Sequence, residues 1–163
     1  SLIINELEFK ENNITNKTFS KKTKDLIDNE TRKNMEFGTI VHEILEHIDF
    51  KNLDLSLIEN NFIKNIINSL VKTPLFKDIG NATIFKEYEF IDYDLDIEYH
   101  GKIDLMIVHD EYIDIVDYKL NDLTDENYIN QLNGYKTYIS KNTTKQVNIY
   151  LFSLLTSTLK KLN

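Results

Sequence analysis

Residues Gly101 to Leu120 read GKIDLMIVHDEYIDIVDYKL, and this stretch decides the fold. Two short apolar runs, Ile103–Val108 and Ile113–Val116, flank a polar His109-Asp110-Glu111 turn. Such runs, rich in β-branched residues and joined by a turn, read as an antiparallel hairpin. Each carries an acid in an awkward place: Asp104 inside the first, Asp117 just after the second. Acids are depleted from strand interiors, and burying one without a counter-charge is expensive. A single such acid is ordinarily an edge residue or a salt-bridge partner. Two on adjacent strands, both flanked by aliphatics, call for a shared cation, and a hard divalent metal with oxygen ligands is the natural one. Lys119 follows Asp117 by two positions and so points to the same side of its strand. Two carboxylates and a lysine from one hairpin predict a metal-assisted hydrolytic centre.

Outward from the hairpin, Thr83–Tyr93 is rich in aromatic and β-branched residues with an imperfect alternation. With a turn around Asp94–Asp96, it predicts a strand that pairs with Ile97–Val108, completing a three-strand meander. Upstream, a helix is expected from about Asn29, capped by Thr31 or Asn34. Its apolar stripe is Met35, Ile40, Val41, Ile44, Leu45 and Ile48. Gly38 lies inside it, where glycine costs stability and usually permits close approach of another backbone or a ligand. A second helix is expected over about Leu55–Lys72, with Leu57 and Phe62 on its apolar face and Pro74 after its end. Downstream, Thr124 or Asp125 caps a helix over Glu126–Ser140, and Gln146–Leu154 reads as a last strand. That strand can join the sheet parallel to its neighbour through the helix crossover. The expected fold is α/β, a central mixed sheet with an antiparallel meander flanked by helices.

The chain has 163 residues, which fits a single domain. Residues 1–30 read as a peripheral or docking segment and 31–155 as the core. Lys17, Lys21, Lys22 and Lys24 form the densest basic cluster, a solvated face or a phosphate-contacting patch. Cysteine is absent, which excludes disulfides, thiolate zinc sites and cysteine-ligated iron–sulfur clusters. A reducing, cytoplasmic location is compatible with that, and no apolar run is long enough to span a bilayer. The net charge of -8 argues against a protein whose affinity rests mainly on phosphate contacts. Carboxylates gathered for a metal, or basic surface in a larger parent, reconcile it with nucleic acid.

The spacing D-(x)12-D-x-K over Asp104, Asp117 and Lys119 resembles the signature of the PD-(D/E)XK nuclease superfamily. Its surroundings are similar to the RecB-type branch. Gly101-Lys102-Ile103-Asp104 resembles that branch's G-x-I-D, and Ile115-Val116-Asp117-Tyr118-Lys119 its apolar-apolar-DYK strand. Gln131 to Tyr135 resembles its Q-x-x-x-Y helix, and Gly38 to His42 its G-x-x-x-H helix. Glu87 falls in a strand where the branch often has an acid. The resemblance implies a restriction-endonuclease-like core and Mg²⁺- or Mn²⁺-dependent hydrolysis of DNA phosphodiesters. It implies metal ligation by His42, Asp104, Asp117 and the Tyr118 backbone carbonyl. Lys119 would stabilise charge, and Gln131 and Tyr135 would position a DNA phosphate or the lysine. Read alone, His42 would be a structural or surface histidine, Gln131 a polar helix residue and Tyr135 a core-edge tyrosine. Glu87 is either a supporting acid beside the site or an ordinary exposed strand residue. Glu43, Glu46 and His47 read as a solvated face, and the HEILEH run lacks the H-E-x-x-H spacing of a zinc protease.

Within the branch, the absence of cysteine favours the cluster-free modules found in helicase–nucleases of the AddA and RecB kind. The missing initiator Met agrees with a domain cut from such a polypeptide. The expected partners are therefore DNA, a helicase region of the same parent chain and an AddB-like or RecC-like subunit, in double-strand break repair. The alternatives are a non-catalytic DNA-binding or docking module that keeps the nuclease fold, and an unrelated metal-binding or protein-interaction domain.

Overall fold

The computed structural model describes residues 29–121 and 123–163. The lysine cluster at positions 17–24, and all but the end of the expected docking segment, lie outside the described residues. Helix α1 spans Asn29–His47, α2 Asn61–Val71 and α3 Glu126–Lys141. Strands β1 (Thr83–Asp94), β2 (Ile97–Val108), β3 (Tyr112–Lys119), β4 (Gln146–Ser153) and β5 (Thr158–Lys161) form one sheet in that order. Neighbouring strands are antiparallel except β3 and β4, which run parallel through the α3 crossover. The fold is thus α/β, a mixed sheet with an antiparallel meander between helices, compatible with a restriction-endonuclease-like core. Among the described residues no helix is long and apolar enough to cross a membrane.

Each face of the sheet has its own core. On one face Val41 and Leu45 of α1 and Ile66, Ile67 and Leu70 of α2 pack over the sheet, each 0–1% exposed. Burial of such a side chain stabilises by ~1.5–3 kcal/mol. On the other face Leu132, Tyr135 and Ile139 of α3 pack over Ile115, Ile149 and Leu151.

Several boundaries differ from the sequence expectation. Thr31 and Asn34 lie inside α1, so neither caps it. Met35 and Ile40 are exposed, and the buried stripe of α1 is the narrower Val41/Leu45 line flanked by Phe37, Ile44 and Ile48. Helix α2 starts only at Asn61, because the Asn60 side chain accepts the Ile63 N–H and caps it there. Leu57 therefore precedes the helix and is exposed, while Phe62 lies inside it on the exposed side, its ring centroid 5.7 Å from that of Phe37. Strand β5 was not anticipated: its four residues include Lys160 and Lys161, the charged composition that protects an edge strand from pairing further.

The imperfect alternation of β1 has a structural cause. Side chains two apart on a strand share a face. Yet Ile84 packs in the α1/α2 core, while Tyr88 and Phe90 pack in the α3 core. Strand β2 switches likewise, with Leu105 and Ile107 in the first core and Ile103 in the second. The switch falls at Glu87 and Asp104, the one facing pair absent from a ladder that otherwise runs through Lys86↔Leu105 and Tyr88↔Ile103. Glu87 has φ 51 there, a left-handed conformation that costs a residue with a Cβ ~1–2 kcal/mol.

Candidate functional site

The site lies where β2 and β3 part. Their ladder runs from Val108↔Ile113 to Leu105↔Val116 and stops. Strand β3 continues beside β4 as far as Lys119↔Ser153. Asp104 and Asp117 lie in the fork so formed. The Tyr118 N–H, just past the end of the ladder, donates instead to Asp104 Oδ2 at 2.7 Å.

Helix α1 brings His42 over the fork. His42 Nδ1 is 3.8 Å from Asp104 Oδ1, and its ring stands edge-on to Tyr118 with centroids 5.6 Å apart. On the far side, the left-handed twist at Glu87 turns that carboxylate inward. His42, Glu87 and Asp104 each offer one ligand atom, all within 4.8 Å of one another. One imidazole nitrogen and two carboxylate oxygens suit Mg²⁺ or Mn²⁺.

The electrostatics of the fork favour a cation. Burial first, and then the adjacent Asp117 carboxylate, push Asp104 well above the usual carboxylate range. Two crowded carboxylates cannot both ionise cheaply without a positive charge between them. Burial also raises Glu87, against the pull of Lys102. Burial lowers His42, with Asp117 opposing, which favours the neutral imidazole that ligates metals.

Asp117 is not one of the three grouped ligands. Its Oδ2 lies 2.9 Å from Lys119 Nζ as an ion pair, and this buried oxygen has no aligned hydrogen-bond donor among the described residues. Lys119 is held from three sides. Besides Asp117, its ammonium donates to Gln131 Oε1 at 3.0 Å and sits 4.3 Å from the centroid of the Tyr128 ring. Burial works against its charge, but Asp117 and Asp104 outweigh it and raise its pKa.

The cleft over the fork has a volume of about 880 Å³, and His42, Asp104, Asp117, Lys119, Gln131 and Tyr135 all border it. The structure therefore brings all the sequence-predicted side chains to one place; Gln131 holds the lysine, one of the two duties expected of it, and Tyr135 makes a contact that was not expected. Gln131 engages Lys119. Tyr135 is 1% exposed, and its hydroxyl donates to the Lys102 carbonyl at 3.0 Å, tying α3 to β2. Gly38 also borders the cleft, and a Cβ there would meet only Leu120 Cδ1, at an ordinary 3.6 Å. Among the described residues no backbone from another element presses on it, contrary to one of the two reasons for a helix glycine. Glu43, Glu46 and His47 are exposed, and His47 Nδ1 bonds the Glu43 carbonyl of its own helix at 2.7 Å.

Three participants were missed or left undecided by sequence reasoning. Glu87 joins the ligand group, and its signal was the break in β1 alternation. Lys102, in the G-K-I-D run, faces Glu87 at 3.5 Å. Tyr128 precedes Gln131 by one helical turn, so its ring shares that face of α3. No family model and no curated protein matches the chain.

Proposed function

We propose that this domain is a divalent-cation-dependent deoxyribonuclease, a module of the RecB-type PD-(D/E)XK kind. The observation that carries the reading is the fork itself: two crowded carboxylates, with His42 and Glu87 turned towards Asp104 and Lys119 fixed beside Asp117. His42, Glu87 and Asp104 would hold Mg²⁺ or Mn²⁺, with Asp117 and the Tyr118 carbonyl at its border. Once bound, the cation would polarise a phosphate oxygen and make a water more acidic.

The remaining work falls to the chain. Lys119 presents a fixed ammonium to charge developing on the phosphate, and a donor already in place costs no reorganisation at the moment of reaction. Gln131 and Tyr128 keep that ammonium aimed. Tyr118 orients two groups at once, donating its N–H to Asp104 and packing its ring on His42. The acidic net charge is consistent with a module that receives its strand from a helicase region of one polypeptide, beside an AddB-like or RecC-like subunit, in double-strand break repair. No iron–sulfur cluster enters this reading.

The test is cleavage of plasmid and single-stranded DNA by the purified domain with Mg²⁺, Mn²⁺ or EDTA. Cleavage that needs the cation is the expected result. A folded protein that takes up Mn²⁺ yet cuts neither substrate would instead be a binding or docking module.

A further inference from the structure

Two lysines border the cleft, and their settings differ. Lys119 is fixed by Asp117, Gln131 and Tyr128. Lys102 has 45% of its side chain exposed and a long 3.5 Å contact to Glu87 Oε2, its ion-pair partner among the described residues. Such a half-exposed pair contributes little. The main chain of Lys102 is nevertheless anchored, because its carbonyl accepts the buried Tyr135 hydroxyl. A fixed root thus carries an ammonium that is cheap to release.

Its partner has a competing use. Glu87 is the same carboxylate that faces His42 and Asp104 across 4.8 Å or less. A carboxylate that ligates a cation no longer offers its full charge to a lysine. Glu46 of α1 adds a further negative charge near Glu87, so the Glu87 site is short of positive charge until a cation arrives.

We propose that Lys102 is a strand-binding residue held in reserve by Glu87: filling the His42–Glu87–Asp104 site frees its ammonium for a phosphate of the nucleic-acid backbone. This rests on the function proposed above and deepens it. Cation occupancy and strand affinity are then coupled, and the coupling is reciprocal. Lys119 serves the reacting phosphate, whereas Lys102 grips the strand.

The prediction can be tested without turnover. A fluorescent single-stranded oligonucleotide is titrated in EDTA over a salt series with wild type, Glu87→Gln, Lys102→Gln and the double variant, each checked by its melting curve. Removing the Glu87 charge should release Lys102 and tighten binding by up to ~5-fold, the most that a half-exposed ion pair withholds. It should also steepen the slope of log K against log salt by ~0.7, one single-strand phosphate contact. The double variant should fall back to the level of Lys102→Gln, while Glu87→Gln with Lys102→Arg should keep the gain. In wild type, Mn²⁺ with an uncleavable phosphorothioate strand should steepen the slope as Glu87→Gln does. A gain that survives in the double variant, or Glu87→Gln binding no tighter than wild type, overturns the role of Lys102 and leaves the nuclease reading standing. Failure of every protein, wild type included, to retain a strand at any salt overturns both.

Discussion

Replacing Asp104 by Asn should make the metal-free protein more stable and the metal-loaded protein less so. Asp104 has 12% of its side chain exposed and lies against Asp117, whose side chain is 4% exposed. Asn keeps an oxygen for the Tyr118 N–H but removes one of two crowded negative charges. Relieving the like-charge crowding is taken to be of the same order as replacing a buried ion pair by neutral groups, ~1–4 kcal/mol. For a domain of 163 residues, each kcal/mol is worth ~2–4 °C in Tm. A middle value of ~2 kcal/mol therefore places the variant ~4–8 °C above wild type in EDTA. With Mn²⁺ at a hundred times its Kd, the wild type gains ~2.7 kcal/mol by mass action, hence ~5–11 °C. The variant lacks one of three ligands and should gain little. The two melting curves therefore cross over, or at least converge, between EDTA and Mn²⁺. The assay is thermal denaturation under both conditions, with calorimetry to confirm Mn²⁺ uptake by wild type alone. Equal Mn²⁺ gains in the two proteins, or a variant that melts below wild type in EDTA, would refute the account of the fork.

Other perturbations give separate readings of the same structure. Tyr118→Phe should stabilise, because the buried hydroxyl has no hydrogen-bond partner among the described residues and such a group costs ~1–3 kcal/mol; a lower Tm would show that the hydroxyl is satisfied. Lys119→Met should abolish cleavage but also strand the buried Asp117 charge, a loss of ~3–5 kcal/mol. The Asp117→Asn/Lys119→Met pair should recover most of that stability while staying inactive, and a double variant no more stable than the single would contradict it. Asp114 is raised above the usual carboxylate range, mainly by burial, against Asn148 and His109. The folded state thus holds its proton more tightly than the unfolded chain, so its ionisation costs stability that is absent in strong acid and complete above the folded pKa. Asp114→Asn keeps an acceptor for Asn148 Nδ2 and should raise Tm at neutral pH but not in strong acid, as melting at the two pH values will show.

The hairpin from Gly101 to Leu120 carried most of what was readable. Its strand ends fall where the apolar runs place them, because a local hairpin is specified by residues close in sequence. The parallel β3–β4 pairing was readable for a similar reason, since a helix between two strands leaves few topologies. The three-sided grip on Lys119 was legible only in part. Gln131 stands in a motif, but the Tyr128 contact depends on the angle at which α3 crosses β3, which no periodicity encodes. The inward turn of Glu87 was hidden more deeply, because a left-handed glutamate contradicts local preference and is imposed by two cores pulling on opposite ends of β1. The late start of α2 depends on one cap, Asn60, whose bond to Ile63 competes with an apolar pattern running further upstream.

The change of sidedness at Glu87 and Asp104 has a mechanical corollary. Each half of the β1–β2 ribbon belongs to a different apolar cluster, and the cleft lies along the seam. Cohesion within a cluster comes from many small contacts, whereas polar links such as Tyr118 to Asp104 and Lys102 to Glu87 lie at the seam itself. Opening free energy varies through a fold, and it is lowest where apolar contacts are fewest. The seam is therefore a line along which the β1–β2 ribbon bends at low cost, and a small bend there alters the span between Glu87 and His42.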